Sequence, residues 1–98
     1  MKTLLCLIVL PAMEEVLSDW LLMHPLVDGF TSSPAAGHGS HHHLTISEQV
    51  SGQRKQTLFW IELEQEKGAT LITELQQRFP SSQIHYWQLP LLAHGHLS

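Results

Sequence analysis

Four histidines crowd one short stretch of this chain, Gly37-His38-Gly39-Ser40-His41-His42-His43. Neutral imidazole is the commonest side-chain ligand for borderline metals, and it suits zinc, copper and nickel. In an extended segment His41 and His43 point to one side and His42 to the other. One chain then offers two or three nitrogens to an ion. His38, His41, His42 and His43 are therefore the candidate metal ligands, with Zn, Cu or Ni as the cofactor expected. A solvated polar loop whose histidines bind nothing would have the same composition, because a short His-rich tract is compositional evidence alone. The other histidines read differently. His24 stands before Pro25 and reads as a helix-terminal residue. His85 falls in a strand and reads as a partnered core or interface histidine. With His94 and His96 it forms a reserve of donors if the tail folds back.

Catalysis has little to work with. No Gly-x-Ser-x-Gly, Cys-His pairing, His-Glu-x-x-His or phosphate-binding loop occurs. Cys6, the single cysteine, sits in an apolar run unsuited to nucleophilic work. It can form neither an internal disulfide nor a thiolate metal site. Glu14-Glu15 and the Glu62, Glu64, Glu66 series read as helix-start and solvated-face charges. The chain is expected not to be an enzyme.

The elements that must position the histidine cluster come from a chain of 98 residues, expected to form one domain over 1–98. Nine acidic residues against five basic ones give a net charge of −4. That balance argues against a nucleic-acid binder with a broad basic face and against a polybasic membrane anchor. The N-terminal run Thr3 to Leu10, behind Lys2, imitates a secretory signal. It stops early, at Pro11, and no small-x-small cleavage site follows. It is far short of the ~20 apolar residues a membrane span needs. It is read as a strand apolar on both faces. No direct membrane insertion and a cytoplasmic location are expected.

Pro11 suits the first turn of a helix. Met13, Val16, Leu17, Trp20 and Leu21 then follow at helical spacing, and His24-Pro25 closes the element. Phe30 to Ala36 is a weaker strand whose Pro34 suits a sheet edge. A polar stretch from 37 to 54 is long for a connection in a compact domain and is expected to be a mobile, functional loop. Residues 55–65 alternate, with Phe59, Ile61 and Leu63 on one face and Leu58, Trp60, Glu62 and Glu64 on the other. A helix over 67–79 carries Leu71, Ile72, Leu75 and Phe79 at helical spacing, and Pro80 stops it. A last strand runs over 83–89.

The order β-α-β-β-α-β specifies an α+β, ferredoxin-like βαββαβ sandwich: a four-stranded antiparallel sheet with two helices on one face. The first and third strands, the most apolar, take the centre. The helix-free face should be polar in a monomer, yet Leu58, Trp60 and part of the last strand make it apolar. Either Ile84 and Tyr86 or Trp87 and Leu89 join that face, depending on register. A contiguous apolar patch of this kind marks an interaction surface, and self-association is the expectation.

A ferredoxin-like unit with a long loop between its second and third strands resembles the PII-like signalling proteins. Gly29-Phe30-Thr31 is similar to the Gly-hydrophobic-Thr with which their second strand opens. Gly37-His38-Gly39 is similar to the Gly-x-Gly that opens their long T-loop. The His-rich loop, together with Ile84-His85-Tyr86-Trp87, resembles a small PII-like family linked to heavy-metal efflux systems of the resistance-nodulation-division type. The resemblance implies a homotrimer whose sheets line its centre. It also implies a T-loop that contacts a regulated partner, here a membrane efflux transporter. Many PII proteins hold adenine nucleotides with a Gly-rich, Lys-containing loop before the last strand. Here Arg78-Phe79-Pro80-Ser81-Ser82-Gln83 has neither glycine nor lysine, so no nucleotide is expected. The alternative reading is a PII-like protein that binds a nucleotide or other anion in the cleft between subunits.

Overall fold

In a computed structural model, which describes residues 1–39 and 53–98, the apolar N-terminal run is a strand, β1 (Lys2–Val9). A single 3-10 turn, Pro11–Met13, leads into α1 (Glu14–Leu22). Then come β2 (Thr31–Gly37) and β3 (Arg54–Glu64). The chain continues as α2 (Gln65–Arg78) and β4 (His85–Pro90). The sheet order is β2-β3-β1-β4, with every neighbouring pair antiparallel. The two most apolar strands are central, and the strand carrying Pro34 is an edge, where a missing N–H costs no ladder bond.

Strand alternation builds the core. Leu5, Leu7 and Val9 of β1 and Phe59, Ile61 and Leu63 of β3 share one face. They pack against Leu17 and Leu21 of α1 and Leu71 and Leu75 of α2, all buried in one cluster. Both helices therefore cover the same face. Val16, on the expected apolar stripe, is 43 % exposed, because a nine-residue helix turns only Leu17 and Leu21 fully inward. Gly68 lets α2 lie close on the sheet: a Cβ there would stand 3.2 Å from Thr3 Cγ2 and 2.9 Å from Gln88 Nε2.

Boundaries shift for tertiary reasons. α2 begins at Gln65, two residues before the expected start, because the Gln65 N–H donates to the Met1 carbonyl at 3.0 Å. β4 begins at His85, two residues after the expected start, because Gln83 adopts a left-handed φ of 57°. Gly37 and Arg54 are ladder partners, so these two ends of the expected loop belong to the sheet. The expected mobile loop falls mainly on 40–52, which lie outside the described residues, as do His41, His42 and His43. No helix among the described residues is long and apolar enough to cross a membrane.

Candidate functional site

The face opposite the helices is built from the even-numbered residues of β1 and β3. Cys6 pairs with Trp60 on one side and Trp87 on the other. Ile8 pairs with Leu58 and His85, and Leu4 with Glu62 and Leu89. The register of β4 thus places Trp87 and Leu89 on this face, while Tyr86 turns to the helix side. Trp87 and Leu89 are 48 % and 44 % exposed. Cys6, flanked by the two tryptophans, is fully buried. Burial pushes its thiol pKa up, which keeps it protonated and unreactive.

Polar groups gather at one end of this face. Lys2 Nζ lies 3.7 Å from Glu62 Oε2, and the N-terminal ammonium lies 3.6 Å from Glu64 Oε2. The tail does fold back. The Leu91 N–H donates to the Lys2 carbonyl at 3.1 Å, and His94 Nδ1 comes within 3.9 Å of Glu62 Oε2. These exposed pairs order the rim more than they stabilise it, since such bridges are worth about 0–1 kcal/mol.

The opposite end holds the end of β2. His38 follows β2 directly and is exposed. His85 starts β4 at this same end, its ring edge-on to Trp87 at 5.7 Å between centroids. β2 and β4 are the two outer strands, so three interstrand steps, roughly 14 Å, separate His38 from His85 laterally. One ion cannot bridge them within a chain. His94 stands at the far end of the sheet, beside Glu62. The reserve donors are therefore not brought together. Among the described residues no three His, Cys, Asp or Glu side chains are grouped to hold a metal.

His24 has the helix-terminal role its sequence suggests. Its Nδ1 accepts from the Leu26 N–H at 3.1 Å. That acceptance leaves the proton on Nε2, which donates to Glu74 Oε2 at 2.8 Å. The side chain is 8 % exposed and joins the end of α1 to α2. Trp20 packs edge-on against both this ring and Phe79.

A feature that sequence reasoning missed lies on the helix side. A cavity of about 220 Å³ opens where α2 ends and β4 begins. Leu7, Ile72, Leu75, Phe79 and Ile84 floor it, and Gln76, Gln83 and Tyr86 carry its polar groups. The Ser82 hydroxyl is turned to the Phe79 carbonyl at 2.7 Å. Among the described residues the lining contains no cationic side chain.

Sheet order, antiparallel pairing and the two helices on one face define the PII-like fold. A family model described as "Protein of unknown function (DUF3240)" matches residues 1–98, and the chain belongs to that family. A crystal structure of a DUF3240 family protein from Shewanella baltica is similar at a TM-score of 0.80 and 24 % identity, covering 99 % of this chain and 97 % of that one. CPII, a nitrogen regulatory PII-like protein from Thiomonas intermedia bound to ADP, AMP and bicarbonate, is similar at 0.65 and 21 %, covering 90 % and 89 %. The periplasmic divalent cation tolerance protein CutA from Archaeoglobus fulgidus is similar at 0.71 and 12 %, covering 96 % and 87 %. No protein of curated function matches the chain.

Proposed function

We propose that this chain is a PII-like regulatory protein that senses a transition metal, Zn, Cu or Ni, through His38, His41, His42 and His43. It acts as a cytoplasmic homotrimer whose open sheet faces are buried together, and its loop contacts a heavy-metal efflux transporter. The observation that carries the reading is the position of His38 directly beyond β2. It stands at the root of the segment that holds the other three ligands. The name of the CutA relative, a divalent cation tolerance protein, is in keeping with a metal-linked role. A metal ion held by these donors selects one loop conformation, and the partner responds only so far as it distinguishes that state from the others. Calorimetric titration with Zn, Cu and Ni tests it, on the wild type and on a variant with all four histidines changed to Ala. The variant is expected to lose binding. Equal affinity in both proteins removes the loop as the sensor.

A second reading is favoured by the cavity between α2 and β4: a small molecule bound at the edge of the sheet, where a neighbouring subunit would complete a cleft. CPII carries ADP, AMP and bicarbonate. That the described lining residues include no cation weighs against a phosphate in this cavity. Titration with ADP beside the metal titration separates the readings.

A further inference from the structure

We propose that His85 places self-association through the open sheet face under proton control: copies assemble while this ring is neutral and separate as it takes up a proton. The inference rests on the reading that further copies of this chain cover the face. His85 opens β4 and lies on that face opposite Ile8, which in turn lies opposite Leu58. Trp87, two residues on, meets its ring edge-on at 5.7 Å. In the single chain the imidazole is exposed, and water stabilises either protonation state. Covering Ile8, Leu58 and Trp87 removes that water from His85 as well.

The charged groups of the face, among the described residues, stand too far away to compensate. Glu62 lies opposite Leu4, four residues along β1 from Ile8. That is ~13 Å along the strand, with β1 itself between β3 and β4. Lys2 and Glu64, ladder partners, lie further off still, and His94 stands beside Glu62. Arg54 on β3 is four residues from Leu58 in the other direction, again ~13 Å along the strand. The nearest titratable group on β1 is Cys6, a buried thiol held protonated. Tyr86, the next residue of β4, faces the helix side, and Arg78, at the end of α2 on that same side of the sheet, lies over the Phe79 ring. A proton on His85 would therefore be a covered charge with no carboxylate in reach among the described residues of its own chain, and such a charge opposes association strongly.

The size of the effect follows from linkage. An imidazole ordinarily takes up its proton near pH 6.5. If each copy must shed one proton to assemble, the association constant falls roughly tenfold per copy between pH 7.5 and 5.5. For three copies that is about a thousandfold, and the concentration of half-assembly rises roughly 30-fold. Sedimentation or light scattering over a dilution series, with EDTA present so that no loop metal contributes, reads this directly. Wild type is expected to shift by that factor between pH 7.5 and 5.5. His85→Gln is expected to assemble at pH 7.5 and to lose most of the shift, whereas His94→Gln keeps it. Assembly that is indifferent to pH, or a full shift retained by His85→Gln, overturns the inference and leaves the assembly reading standing. A wild-type monomer at pH 7.5 removes both.

Discussion

Covering the open face of the sheet should depend on Trp87 more than on any other edge residue. It is 48 % exposed in the single chain and sits beside Cys6, near the middle of the apolar rows. A tryptophan offers up to about 250 Å², which leaves roughly 120 Å² to be covered. At about 25 cal/mol per Å² that burial contributes ~3 kcal/mol per copy. Trp87→Ala is therefore expected to weaken association by about two orders of magnitude for each copy. Trp87→Glu adds an unpaired covered carboxylate, worth several kcal/mol more against assembly, and should yield monomers at micromolar concentration. β4 is an outer strand, so both variants should keep the far-ultraviolet circular dichroism of the wild type. Light scattering at pH 7.5 is the assay. An unchanged mass for folded Trp87→Glu would refute the reasoning, because no interface of this kind tolerates that charge at its centre.

Leu7 is fully buried in a central strand, and Leu7→Ala is expected to cost about 2–5 kcal/mol in urea denaturation. His24→Ala removes both the Glu74 bond and the acceptor for the Leu26 N–H, at a cost of about 1–3 kcal/mol. Nitrogen-15 NMR of the wild type at pH 7.5 should show the Nε2–H tautomer at His24. Cys6 should react with a thiol reagent only as fast as the fold opens. Its pKa is raised by burial, so the folded chain holds this proton to higher pH than the unfolded chain does. The resulting stability is complete below the unfolded pKa, near 8.5, and is lost as pH rises beyond it; thermal melts between pH 7 and 10 measure that decline.

What the sequence revealed of the fold came from patterns with a single physical solution. The apolar run before Pro11 was too short for a membrane span and at the low edge for a signal's apolar region, and it is the central strand β1. Pro34 can sit only where its absent N–H is not needed, and β2 is indeed an edge. The register of β4 was ambiguous because Ile84, Tyr86, Trp87 and Leu89 are apolar on both alternations. Only the pairing of Leu4 with Leu89 settles it. The early start of α2 depends on a hydrogen bond to Met1, a contact between chain segments that no local propensity encodes. The histidine cluster was plain in the sequence, but the separation of His38, His85 and His94 is a property of sheet order. The cavity was not legible at all. Its walls come from β1, α2, the turn and β4, and its only local hint is the Phe79-Pro80-Ser81-Ser82-Gln83 break between two elements.

The core has a consequence for how such a chain can change over generations. Among the described residues every buried apolar side chain comes from β1, α1, β3 or α2, and β2 supplies none. The outer strand of the β2-β3 pair therefore contributes nothing to the described core. Mutations in β2 escape the selection that protects Leu5, Phe59 or Leu71. A lineage can retune this edge of the sheet without disturbing the described core, and two proteins with the same framework can carry unrelated chemistries beside it.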